Sequence, residues 1–169
     1  MTLPARLSAV WPILAAVVSA AMLAAAHAFE TFGGYAPCAL CLRQREVYWA
    51  ALAVALIGLV LIRLKRLSPR VVALLLGAVF AAGCVVAAYH AGAEWKWWPG
   101  PTSCSSAGGL TVSGDLSDLL AGKKVRPPAC DQAAWRMLGI SMAGYNAAIS
   151  AVLAAVGLAL AGRSETAAS

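Results

Sequence analysis

Cys38 and Cys41 stand two residues apart in Pro-Cys-Ala-Leu-Cys-Leu-Arg-Gln-Arg, with Arg43 and Arg45 close behind and an apolar run beyond them. A C-x-x-C pair that begins a helix can close on itself, and its thiolate form is favoured by the helix N-terminus and by nearby cations. Arg45 follows Cys41 by four residues, so on a helix the two share a face. Thiolate, rather than thiol, is the nucleophile and the electron donor, so this pattern points to sulfur redox chemistry. Cys84, Cys104 and Cys130 complete the set of five cysteines. Cys84 lies inside an apolar run between Gly83 and Val85 and reads as packing. The other four allow three pairings, which spacing alone leaves open, although closure of Cys38 on Cys41 is locally easy. His27 and His90 have no companion motif, so no metal site is expected.

Such residues need elements to hold them, and composition says which. The chain of 169 residues is 62% hydrophobic and only 12% charged, against about 25% charged in soluble domains. Lipid rather than water must cover most of its exterior. The uncharged runs Leu7 to Phe29, Val47 to Ile62, Val71 to Ala93 and Met137 to Gly162 predict spans, the second starting earlier, near Cys41, to reach the roughly 20 residues a span needs. Lipid offers the backbone no partners, so the spans are α-helices, and their Ala and Gly content permits close contact. The expected fold is an all-α four-transmembrane-helix bundle forming one domain over 1–169. Its helices fall at about 9–29, 42–62, 71–91 and 137–162, its outer loops at about 30–41 and 92–136. The run from Leu7 to Ala26 exceeds the roughly 7 to 15 residues of a signal peptide's apolar core, so Ala26-His27-Ala28 is read as span rather than cleavage site.

Arg6, Arg63, Lys65, Arg66, Arg70 and Arg163 fall on one side of these spans, almost without acids. The short basic loop between the second and third spans is therefore expected in the cytoplasm, together with both termini. Cys38, Cys41, Cys104 and Cys130 then share the other, oxidising side. There Trp95, Trp97 and Trp98 suit the headgroup layer, and Leu116, Leu119 and Leu120, with Asp115 and Asp118 ahead of them, predict a short amphipathic helix. The net charge of +6 is not gathered into an aromatic-interleaved face, which argues against nucleic acid as a partner.

Cys38 to Arg45 as C-x-x-C-x-x-x-R, Trp98 to Cys104 as Trp-Pro-Gly-Pro-Thr-Ser-Cys, Cys130 followed by Trp135, and Leu138 to Met142 as Leu-Gly-Ile-Ser-Met together resemble the bacterial disulfide bond formation protein B family, DsbB. The resemblance covers nearly the whole chain. It implies an inner-membrane oxidase that reoxidises a periplasmic DsbA-like protein of thioredoxin fold and delivers the electrons to ubiquinone or menaquinone. By motif, Cys104 is attacked by the partner's thiolate, Cys130 departs and reaches Cys38, and Cys41 faces the quinone. Arg45 is the matching quinone-site arginine and His90 a second candidate there. Arg43 has no counterpart in the pattern and reads as a cation snorkelling to headgroups. Two other classes remain open: a noncatalytic tetraspan scaffold stapled by disulfides, and a metal-handling membrane protein.

Overall fold

A computed structural model describes residues 3–101 and 129–162, with side chains from residue 7 onward. Four helices long and apolar enough to cross a membrane make up most of it: α1 (Leu3–Thr31), α2 (Ala39–Arg63), α3 (Pro69–Glu94) and α4 (Met142–Gly162). The chain is a multi-pass membrane protein built as a four-helix bundle. Buried residues make up only 22–39% of the apolar windows, and side chains such as Val17, Ile57, Val85 and Val152 point outward, as lipid contact requires.

Caps in the sequence set the helix starts. Ser68 ends the inter-helix loop and its hydroxyl accepts the Val71 N–H, with Pro69 at the first helical position, where its missing N–H costs nothing. Cys38 caps α2 in the same way, through sulfur. The α2–α3 loop turns at Lys65, whose φ is 55°, while Arg66 N–H returns to Leu61 O at 2.8 Å.

Inside, Trp11, Ala15, Leu23, Tyr48, Ala55, Leu76, Phe80 and Leu153 form part of one continuous apolar core. Helix α3 packs most extensively on α4. The reason lies in glycines: a Cβ on Gly157 would sit 2.9 Å from Gly77 Cα, so the two backbones meet where neither has a side chain.

Several boundaries differ from expectation: α1 begins at Leu3 rather than about 9, and α3 runs over Pro69–Glu94 rather than about 71–91. Helix α2 begins at Ala39 rather than about 42, because the Cys38 cap starts it early. The last helix begins at Met142 rather than 137. Before it lies a small antiparallel hairpin, β1 (Arg136–Met137) and β2 (Ile140–Ser141), with Arg136 opposite Ser141. Its turn is Leu138-Gly139, at φ 52° and 81°, the paired left-handed conformation of a two-residue hairpin. The amphipathic helix expected around 115–124 lies outside the described residues.

Candidate functional site

The C-x-x-C occupies the cap and first turn of α2. Cys38 Sγ accepts the backbone N–H of Cys41 at 3.1 Å, and the chain arrives in extended conformation, with φ −79° and ψ 170° at the cap. Cys38 is buried and Cys41 half-buried; both are free thiols, as is Cys84, while Cys130 is disulfide-bonded. Cys104 lies outside the described residues. The hydrogen bond that Cys38 shares with Cys41, together with burial, pushes the Cys38 thiol above its ordinary range, so it is the member that keeps its proton.

The third partner comes from 52 residues away. His90, in the last turns of α3, brings Nε2 to 3.6 Å from Cys38 Sγ and 3.7 Å from Glu94 Oε1. Cys38, Cys41 and His90 together hold their ligand atoms within 4.8 Å of one another. That is a three-donor cluster, where structural zinc takes four. Sequence reasoning placed His90 without a companion; the bundle supplies it by running α3 antiparallel to α2.

Glu94 is one turn farther along and nearly as buried. The hairpin before α4 serves it: Ser141 and Arg136 lie near enough to act on its carboxylate, with Arg136 Nη2 also donating to Glu94 O at 3.4 Å. Its Oε2 has no partner among the described residues. The Cys130 segment closes over this end. Its main chain lies close enough to the His90 ring to act on it, Lys96 grips neighbouring Asp131 at 2.5 Å, and Trp135 lies between Phe29 and Tyr145. Lys96 holds the Asp131 carboxyl below its usual range, through that hydrogen bond first.

Arg45 points toward α1. Its Nη1 donates to Glu30 Oε2 at 2.6 Å and its Nη2 to Ala26 O at 3.1 Å, so among the described residues two of its five N–H groups are used. Arg43 pairs with Glu46 at 2.8 Å on the exposed face. It also helps line an open apolar groove of about 500 Å³ with Leu40, Val47, Val79 and Val86; Cys41, Arg45 and His90 take no part in that groove.

A buried polar chain missed at the level of sequence continues from His90 into the bundle. Gln44 lies against His90 Nδ1 at 2.8 Å, Asn146 donates to Gln44 Oε1 at 2.5 Å, and the Tyr48 hydroxyl donates to Asn146 Oδ1, with Ser150 beside both. Polar residues inside apolar spans were the available signal, since intramembrane polar groups are costly and usually functional.

Free thiols, a histidine and a disulfide-bonded cysteine thus gather at one end of a membrane bundle, an arrangement suited to thiol–disulfide exchange. Comparison with curated proteins and with solved structures finds no match. The family model for disulfide bond formation protein DsbB matches residues 8–160, and with nearly the whole chain covered, this protein belongs to the DsbB family of disulfide oxidoreductases.

Proposed function

We propose that the protein reoxidises a periplasmic DsbA-like dithiol of thioredoxin fold and passes the electrons to ubiquinone or menaquinone in the bacterial inner membrane. Both termini then lie in the cytoplasm and the cysteine-bearing end in the periplasm. What supports this most is the meeting of two sulfur systems near His90, whose Nε2 lies 3.6 Å from Cys38 Sγ and whose ring lies close to the main chain of disulfide-bonded Cys130.

In the proposed relay the partner's thiolate attacks Cys104, forming a mixed disulfide, and Cys130 leaves as thiolate. Cys130 attacks Cys38 of an oxidised Cys38–Cys41 pair, and Cys41 leaves. The partner's second thiol then frees Cys104, which attacks Cys130 and releases Cys38. Each exchange breaks one S–S bond and makes one, so two electrons and two protons arrive at Cys38 and Cys41. A bound quinone supplies the two-electron, two-proton acceptor that lets the cycle repeat. The donor set beside Cys41 fits such a group: Arg45 offers cationic N–H donors one turn on, and His90 a polar ring, next to lipid-facing helix surface. The proximity of the sulfurs makes the exchanges effectively intramolecular.

The test is turnover of purified protein with a reduced thioredoxin-fold substrate and a short-chain quinone. Cys41→Ser and Cys104→Ser should each abolish it; normal cycling by either would refute the relay. A thiol titration before and after adding the reduced substrate separates this from a scaffold, whose bridges would not respond.

A further inference from the structure

His90 has two ring nitrogens with different neighbours, so its tautomer decides what it offers the sulfurs. Nδ1 lies 2.8 Å from Gln44 Nε2; Nε2 faces Cys38 Sγ at 3.6 Å and Glu94 Oε1 at 3.7 Å, and the Cys130 main chain also lies beside the ring. The Gln44 amide is oriented by a main-chain carbonyl. Its Nε2 also donates to Leu40 O at 3.3 Å, a carbonyl that can only accept, and its Oε1 receives Asn146 Nδ2. Asn146 Oδ1 accepts the hydroxyls of Tyr48 and Ser150, groups that adapt to either amide orientation, so the direction of the whole chain is set by the Leu40 carbonyl. Turning Gln44 over would set oxygen against Leu40 O. Gln44 therefore donates to His90 Nδ1, which must carry its lone pair. The proton of the neutral ring is left on Nε2, toward sulfur and carboxylate.

We propose that Gln44, held by the Leu40 carbonyl, is a positioning residue that keeps His90 in its Nε2–H form and so aims a hydrogen-bond donor at the Cys38 sulfur. Gln44, His90 and Asn146 are all buried, so water does not compete for these groups and the direction of donation set on α2 is passed to His90 on α3. When Cys38 is released as thiolate, an N–H already faces it, and no reorganisation is needed to stabilise the charge. The same polarity disfavours a metal on Cys38, Cys41 and His90. A cation would take the Nε2 lone pair and require an acceptor behind Nδ1, where Gln44 presents a donor. The role in sulfur chemistry rests on Cys38 and Cys41 being the redox pair; the tautomer does not.

The experiment is nitrogen-15 NMR of the full chain in micelles, histidine-labelled and carrying His27→Gln so that one ring reports. The expected result is a protonated Nε2 and an unprotonated Nδ1, unchanged by zinc. Gln44→Met should yield a mixture of tautomers, and Gln44→Glu, which accepts rather than donates, should move the proton to Nδ1. Exchange of Cys38 with a small dithiol, measured without quinone, should slow about tenfold or more in Gln44→Met, the usual effect of losing a group that orients a reactive histidine. A proton on Nδ1 in the parent chain, a ring unmoved by Gln44→Met, or zinc bound at Nε2 would overturn the assignment. A displaced tautomer with an unchanged exchange rate would overturn the role at sulfur while leaving the quinone-linked reading to its own test.

Discussion

Arg43 and Arg45 stand two residues apart, and burial separates what they do. The Arg43–Glu46 pair is exposed on both sides, whereas Arg45 is 15% exposed and bridges α2 to two acceptors on α1. Exposed ion pairs contribute roughly 0–1 kcal/mol; buried hydrogen bonds to charged groups contribute about 1.5–3 kcal/mol. Arg43→Ala should therefore leave thermal unfolding in detergent nearly unchanged, and Arg45→Ala should lower stability by about 2 kcal/mol. Arg45→Lys should recover only part, since an ammonium lacks the planar fork that reaches both Glu30 and Ala26. A second residue-scale prediction concerns pH. The Asp131 carboxyl is held below its ordinary value by Lys96, so the tie between them is complete above the ordinary carboxylate range and is lost as pH falls through the lowered value. Lys96→Met should move the Asp131 titration, followed by carbon-13 NMR, upward toward about 3.9. A titration that stayed put would show that Lys96 is not its cause. The C-x-x-C and its arginine were legible in sequence because they are local. The contacts of His90 with Cys38 and of Gln44 with Asn146 were not, because each joins single polar residues on different helices.

Helices were the most legible elements, since lipid leaves the backbone one solution, and their ends were the least. Met137 to Ser141 reads as the start of the last apolar run, yet Leu138-Gly139 turns it into a hairpin with Arg136 and sets Ser141 and Arg136 beside Glu94. Helix contacts were legible as a surplus of small residues, but not which of them meet. The crossing of α3 and α4 is decided by Gly77 and Gly157. A methyl on Gly157 would lie 2.9 Å from Gly77 Cα and 3.1 Å from Ala73 O, backbone atoms that cannot swing aside. Gly157→Ala gains up to about 1 kcal/mol of helix propensity and loses about 1–3 kcal/mol to overpacking, so net destabilisation is expected. Gly162→Ala, whose added methyl meets nothing within 4 Å, provides the control. Equal unfolding midpoints for the two would mean that α3 and α4 can separate without cost.

At the scale of the molecule, the sulfur chemistry and the unbalanced positive charge occupy opposite ends. Cys38, Cys41, His90, Glu94 and Cys130 gather where α2 starts and α3 stops, while Arg63, Lys65, Arg66 and Arg70 cluster at the α2–α3 loop. The two ends are separated by the 25 residues of α2, roughly 37 Å at about 1.5 Å per residue, enough to cross the hydrocarbon core. Basic residues in short loops resist translocation, so the orientation proposed above, with the sulfurs in the oxidising compartment, would rest on this loop. The consequence is measurable in a chain whose native cysteines are replaced by serine. Ser68→Cys, in the basic loop, should resist a membrane-impermeant maleimide in intact spheroplasts and react only after lysis. Phe32→Cys, at the opposite end and 88% exposed, should react in both. Changing Arg63, Lys65, Arg66 and Arg70 together to Gln should weaken the preference and let Ser68→Cys react in a fraction of intact cells. Full labelling of Ser68→Cys before lysis in the otherwise unaltered chain would invert the bundle, strand the C-x-x-C on the reducing side, and end the case for a periplasmic thiol partner.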